Sequence, residues 1–375
     1  MRHTITAILL LALPLPSSAC GGGAEADTAS APRPDPVVTN AKMLGVGYNS
    51  TQDTYLSPLH YAGPELRYVS HTIRRRDDSP WLRLIINEGR LAEGESRSEN
   101  GALLSAARAR GTRSVMHLST LTEEGGFDSE RAALVLSDRE VQSGLISQLL
   151  QTVQARQYAG VDVDFEYIPG EYAAAYGAFL ERLHRLLRPM GRFLWAALAP
   201  KTSSNQRGLL YEGHDYAAVS AAVDAVLLMT YEWGYTAGPP MAVAPLPNVR
   251  SVLDYAVTLI PPEKIMLGVP NYGYDWPLPF VSGVTRAQSL SNEAAIALAV
   301  REDVAIQFDE EAVSPFFHYT AGDGTVHEVW FEDARSLEAK FRLMAEYGFL
   351  GCGIWNIDRP FAQTWTTLDS LYDVD

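Results

Sequence analysis

Eight short apolar runs punctuate this sequence, and between most of them lie stretches long enough for a helix. The runs fall at 43–48, 66–71, 114–119, 161–167, 194–199, 225–231, 265–270 and 352–357. Each has the length of a strand. The stretch 171–187 shows what separates them: Tyr172, Tyr176, Phe179, Leu183 and Leu187 recur at three- or four-residue spacing, the period of an amphipathic helix. Strands that alternate with helices pair in parallel, because the helix carries the chain back to the same end of the sheet. The fold class is therefore α/β. Eight such units over 41–375 match a closed (β/α)8 TIM barrel. An open doubly wound sheet shares the periodicity, but no glycine-rich phosphate-binding fingerprint supports it.

One connection breaks the rhythm. More than 50 residues separate Trp276 from Trp330, too many for a structureless loop in a compact domain. That stretch holds a helix-like piece at 291–301 and strand-like pieces at 305–308, 316–320 and 328–331, with Gly322-Asp323-Gly324 as a hairpin turn. Residues 277–330 thus read as a small α+β insertion before the last barrel helix, which starts near Glu332.

The first 40 residues differ in kind. A basic start, an apolar run from Ile5 to Leu15 and the small residues Ser17-Ser18-Ala19 before Cys20 resemble a bacterial lipoprotein signal. Residues 1–19 read as a signal peptide and 20–40 as a disordered tether rich in Gly, Ala, Pro and Ser. The expectation is a secreted protein, lipid-anchored through Cys20 on the outer face of the cell membrane. Plain secretion after cleavage near Ala19 is the alternative. No later run reaches the roughly 20 apolar residues that span a bilayer. The other cysteine, Cys352, sits in an apolar, glycine-rich run and reads as buried filler. A net charge of −15 disfavours nucleic acid as a partner. The expected assembly is a monomer.

Chemistry concentrates in Gly160-Val-Asp162-Val-Asp164-Phe-Glu166-Tyr167. Successive side chains on a strand point to opposite faces, so the three acids share one face and Val163 and Phe165 the other. Both faces of a parallel barrel are buried, one inside the barrel and one beneath the helices. The apolar face suits the helices, which turns the acids inward. Carboxylates about 6.7 Å apart at alternate Cα positions, buried and alike in charge, must raise at least one pKa. A carboxyl group kept protonated this way can act as a general acid. Glu166 is nearest the C-terminal rim, where barrel enzymes keep their active sites. A divalent-metal site or an exposed polar edge strand are the rival readings of the acids. No second cluster of acids or histidines at a strand end supports the metal.

This run resembles the signature of glycoside hydrolase family 18, the chitinase family, with Ala159 where the family usually has Asp. Leu228-Met229-Thr230-Tyr231 is similar to the family's sixth-strand element and Ile354-Trp355 to its eighth-strand tryptophan. Phe165-Glu-Tyr-Ile-Pro169, Ala197-Leu-Ala-Pro-Lys201 and Asn271-Tyr-Gly-Tyr-Asp-Trp276 resemble the spore-cortex-lytic, peptidoglycan-directed subgroup.

The resemblance implies a retaining, substrate-assisted glycosidase that needs no cofactor and no metal and acts on an N-acetylglucosamine-containing glycan. It makes Glu166 the acid/base, has Asp164 orient the sugar's acetamido group, and puts Asp162 deeper to bias Asp164. It has Tyr231 bond the acetamido oxygen and Trp355 form an apolar floor under the sugar. Glu232 stands where Asp is common and is a substrate-binding candidate. So are Tyr274, Trp276 and Trp330, for which core packing is the equal alternative, and more weakly Tyr48 and Asn49. A chitinase and a non-catalytic, lectin-like sugar binder remain the competing functions. The presence of the acid Glu166 argues against the second.

Overall fold

The eight apolar runs become the eight strands of a closed ring. In the computed structural model they are Lys42–Asn49, Tyr68–His71, Arg113–Ser119, Gly160–Asp164, Phe193–Leu198, Ala225–Leu228, Ile265–Pro270 and Gly351–Trp355. Each pairs in parallel with the next, and the eighth returns to the first through Gly47↔Ile354 and Tyr48↔Trp355. Closure removes both sheet edges and excludes the open doubly wound arrangement. The structure describes the strand backbone at 42–49, 68–71, 84–87 and 90–93, residues 104 and 109, and residues 113–120, 127–356 and 359–374. The signal, the tether and Cys20 lie outside the described residues, as does the side chain of Tyr48.

Two runs continue three residues past the ends of the strands they form. The fourth strand ends at Asp164 and the sixth at Leu228. Beyond Leu228, Met229 N–H still bonds Leu198 O, but Thr230 and Tyr231 donate to Leu228 O and Met229 O, two tight turns in succession. Glu166 and Tyr231 therefore stand on the rim, on backbone that has left the ladder.

The alternation on the fourth strand is resolved as the pattern requires. Val161, Val163 and Phe165 have no exposed surface and join the layer between barrel and helices. Phe165 is stacked on Tyr176 and Phe179, at centroid distances of 5.8 and 5.7 Å. Both partners come from the helix Ala173–Leu187, which buries Tyr176, Phe179, Leu180, Leu183 and Leu187 on one stripe. A 3-10 turn, Gly170–Tyr172, precedes it. Helix starts are marked by side chains that accept otherwise unpaired N–H groups: Asp128 caps Ser129–Ser137, Asp138 caps Arg139–Arg156, and Asp333 with Ser336 forms a reciprocal capping box on Ala334–Tyr347.

The insertion is a five-stranded antiparallel sheet with one helix, Asn292–Arg301, packed on it. Its strands, in spatial order, are Gln288–Leu290, Gly273–Leu278, Val326–Trp330, Ser314–Thr320 and Gln307–Asp309. The sheet begins at Gly273, upstream of the expected 277, so Tyr274 and Trp276 belong to it. Gly324, at φ 88°, closes the hairpin between two of its strands, with Asp323 accepting from Thr325 N–H. The helix Ala334–Tyr347 follows the insertion, and one more, Ala362–Leu371, follows the eighth strand.

The sequence pattern did not announce the antiparallel hairpin Leu84–Asn87 with Arg90–Glu93, which extends the third strand through Leu84↔Leu118. Cys352 is buried within the eighth strand, and burial pushes its thiol up to about 12.

The stack on Phe165 holds the fourth strand against its helix. Phe165→Ala removes a fully buried ring and should cost about 3–5 kcal/mol of unfolding free energy. Denaturant unfolding of the purified variant checks this, and a loss below about 1 kcal/mol would show that the stack carries little of the packing.

Candidate active site

The two deeper acids lie inside the barrel: Asp162 has no exposed surface and Asp164 is 8% exposed. The neighbouring strand sets His117 opposite Asp162 in register. Its Nδ1 lies 3.1 Å from Asp162 Oδ2 and its Nε2 3.6 Å from Asp164 Oδ2. His117 was not among the residues singled out from the sequence. A signal for it existed: on Arg113–Ser119 it shares the inward parity of Val115, next to a strand known to aim acids inward.

Glu166 owes its position to a backbone held on both sides. Phe165 O accepts from His214 Nε2 at 2.8 Å, and Tyr167 O accepts from Ser129 Oγ at 2.7 Å. Tyr167 itself has a positive φ of 53°, a turn that a bulky residue adopts only when its surroundings enforce it. His214 is wholly buried, and its Nδ1 accepts from Ala199 N–H at 2.8 Å. That bond fixes the tautomer with the proton on Nε2, facing Phe165 O. Burial holds the His214 imidazole down to about 4, so it stays neutral. Lys201 Nζ bonds His214 O at 2.9 Å, and Tyr216 ties Ala199 O to Lys201 N–H. The ends of strands four and five are thus locked together beneath Glu166.

The electrostatics follow from burial. Loss of solvent, and then the charge of Glu232, raise the Glu166 carboxyl from its ordinary 4.5 to about 8. Asp164 is pushed well up by burial first and by Glu166 second, with Asp162 reinforcing the rise and His117 opposing it when its imidazole is protonated. Glu166 is therefore protonated at neutral pH, the state a general acid needs. Among the described residues no group of three or more His, Cys, Asp or Glu is arranged to hold a metal ion.

Tyr231 is buried near Asp164 and Glu166, and burial first and their charges next raise its phenol. Tyr231 fits because Gly268 on the seventh strand has no side chain: a Cβ there would sit 2.9 Å from the Tyr231 ring and 2.3 Å from Leu228 O. Trp355 is half-buried at the end of the eighth strand and packs against both the barrel interior and the insertion's aromatic cluster. The segment after Trp355 is held by Asn271, whose Nδ2 donates to Asn356 O and Arg359 O at 3.0 and 2.7 Å.

Glu232, at φ 68°, presents surface to solvent while its carboxylate accepts from the phenols of Tyr272 and Tyr274. Burial raises the Glu232 carboxyl, while those phenols and the nearby charge of Arg359 pull it back down. Tyr272 and Arg359 were not foreseen. Trp276 does not line a cleft: it has no exposed surface, and its indole N–H bonds Gly238 O at 2.8 Å. Tyr274 is 7% and Trp330 8% exposed, the first turned to Glu232 and the second stacked on Phe316. Tyr48 is brought beside Trp355 in register.

The raised carboxyl has a consequence for stability. The folded chain keeps a proton on Glu166 that the unfolded chain releases between about pH 4.5 and about pH 8. Stability from this group is therefore fully present below the lower value and is lost as pH rises through the upper one. Glu166→Gln cannot lose that proton. Its melting temperature relative to the parent should climb across this window, measured by thermal unfolding at a series of pH values. Parallel curves would place the Glu166 carboxyl near its ordinary value.

Comparison with known proteins agrees with this geometry. The sequence matches the family described as Glycosyl hydrolases family 18 over residues 89–359. A family described as a protein of unknown function matches residues 6–124. The chain is 41% identical over 260 residues to the cortical fragment-lytic enzyme of Bacillus subtilis (strain 168), covering 69% of this chain and 60% of that protein. The crystal structure of the Bacillus cereus spore cortex-lytic enzyme SleL aligns with a TM-score of 0.81 at 35% identity, over 90% of this chain and 76% of that one. A chitinase from Chromobacterium violaceum ATCC 12472 shares the fold, with a TM-score of 0.78 at 24% identity over 88% and 98% of the two chains. The chain spans about 60% of the length of the curated relatives it matches. On the extent of these matches, this chain belongs to glycosyl hydrolase family 18.

Proposed function

We propose that this protein hydrolyses β-1,4 linkages next to N-acetylglucosamine in peptidoglycan or its fragments, retaining the anomeric configuration. The observation that carries this reading is a rim carboxyl group, Glu166, held protonated just beyond the two buried acids of the fourth strand. Glu166 protonates the glycosidic oxygen as the bond to the anomeric carbon breaks. The sugar's own acetamido oxygen attacks that carbon and forms an oxazolinium ring, so no protein nucleophile is required. Glu166, now a carboxylate, takes a proton from the water that opens the ring. Asp164 aligns the acetamido N–H and opposes the positive charge, Tyr231 bonds the acetamido oxygen, and Trp355 supplies a flat apolar floor for sugar C–H groups. The likeness to cortex-lytic proteins favours bacterial-wall glycan over chitin.

Three experiments test the reading. Glu166→Gln should fold and lose about 10²- to 10⁴-fold in turnover, the usual share of general acid–base help. Parent-like turnover would remove Glu166 from the role. Matched aryl β-glycosides of N-acetylglucosamine and glucose should differ by orders of magnitude in kcat, because the glucoside lacks the internal nucleophile. Equal turnover would require a protein nucleophile. Mass analysis of products from peptidoglycan fragments and chitin oligomers, run side by side, identifies the glycan.

The leader Ile5 to Leu15 and the small residues before Cys20 support export and lipid attachment at Cys20. Cys20→Ser should then move the protein from the membrane to the soluble fraction, since the alkyl chains supply the anchor. Parent protein already in the soluble fraction would leave secretion without an anchor.

A further inference from the structure

The glycosidase reading leaves one proton without a destination. Asp164 is buried, lies between Asp162 and Glu166, and is pushed by that burial toward its protonated form. It can oppose the charge of the oxazolinium only as a carboxylate, so a proton held there has to leave as the ring closes. Glu166 cannot keep that proton, because Glu166 must be a free carboxylate to activate water in the next step.

The barrel interior holds a third group in contact with both acids. His117 lies 3.1 Å through Nδ1 from Asp162 Oδ2 and 3.6 Å through Nε2 from Asp164 Oδ2, and it is 4% exposed. A neutral imidazole that donates Nδ1–H to the Asp162 carboxylate presents the lone pair of Nε2 toward Asp164. The arrangement is an acid–imidazole–acid row. It has the logic of a catalytic triad, in which one carboxylate fixes the tautomer and holds the imidazolium that forms. The 3.6 Å separation exceeds a hydrogen bond, so a shift of a few tenths of an ångström by Asp164 would close it.

We propose that His117 is a positioning residue for the substrate-assisted reaction: it takes the proton of Asp164 as the acetamido group cyclises and returns it when the ring is hydrolysed, with Asp162 as counter-ion. The O–H bond of Asp164 breaks and its electron pair stays on the carboxylate. The N–H bond forms on His117 Nε2. Hydrolysis reverses both changes, and no electrons are exchanged with any other species. His117 acts through Asp164 and does not touch the sugar. Among the described residues, the titratable groups around it are Asp162 and Asp164 in contact, with Glu166, Tyr231 and Tyr176 coupled to Asp164. This inference rests on the glycosidase reading.

The test uses the full chain and an aryl β-glycoside of N-acetylglucosamine. His117→Asn keeps a donor toward Asp162 but offers Asp164 no base. It should lower kcat by about 10²-fold or more with KM little changed. The acidic limb of the parent's kcat–pH profile, where His117 is already protonated and cannot accept, should disappear, while the alkaline limb set by Glu166 stays. His117→Gln, which places its amide nearer Asp164, serves if the Asn variant does not fold and should show the same loss. Nitrogen NMR of the parent protein, free and saturated with a thiazoline that mimics the cyclised sugar, reads the imidazole directly. His117 should be neutral in the free protein and doubly protonated in the complex. Folded variants with parent-like kcat and an unchanged acidic limb, a loss in KM alone, or a neutral imidazole in the complex would each overturn the proposal. Glu166→Gln run in parallel separates the two readings: if it is inactive while the His117 variants are normal, only the role of His117 falls.

Discussion

Placing three acids on one face of one buried strand is the constraint on which the rest of this structure turns. Carboxylates so close, in an interior of low polarity, cannot all carry charge. Loss of solvent is the largest cause of the upward shift at both Asp164 and Glu166, with neighbouring charge second. What would destabilise an ordinary core here produces a rim acid that is protonated near neutral pH. The fold must supply the opposing stability elsewhere. It does so on the other face of the same strand, where Val161, Val163 and Phe165 are fully buried beneath the helices.

A poised acid is useful only if it is also fixed in place, and Glu166 lies beyond the ladder that fixes its strand. The structure substitutes side-chain clamps for the missing ladder bonds. His214 and Ser129 hold the carbonyls on either side of Glu166, and Lys201 and Tyr216 brace His214. Backbone polar groups at a strand end need partners in any case. Here those partners come from neighbouring βα segments, so rigidity of the barrel passes into the position of one carboxyl group. Asn271 does the same for the segment that follows Trp355. The insertion contributes Tyr274 and, with Tyr272, an anchor for Glu232, whose charge feeds back on Glu166.

Local periodicity made much of this legible in the sequence. The eight strands and the inward face of Asp162, Asp164 and Glu166 follow from a two-residue alternation set inside apolar flanks. The hairpin at Asp323-Gly324 and the helix capped by Ser291 follow from the backbone needs of those residue types. Contacts between distant segments were not legible. His117 reads as one polar residue in an apolar run until the register pairs it with Asp162, 45 positions away. The tie between Tyr272 and Glu232 spans 40 positions, and that between His214 and Phe165 spans 49. Trp276 illustrates the converse: an aromatic within a family-like phrase invites a binding role, yet the insertion's sheet buries it and satisfies its N–H internally. The early hairpin at 84–93 leaves little trace in the sequence because a short antiparallel pair has little periodicity of its own.

In the proposed reaction one protein carboxyl group and the substrate's own acetamido oxygen divide the work. That division fixes the stereochemistry of the product, since two successive displacements at the anomeric carbon restore its configuration. Proton NMR of the sugar released from an N-acetylglucosamine oligomer, followed from the first turnovers before mutarotation, reads it directly. The first-formed reducing end should be the β anomer. First appearance of the α anomer would mean a single displacement by water, and Glu166, Asp164 and the acetamido group would then need different roles.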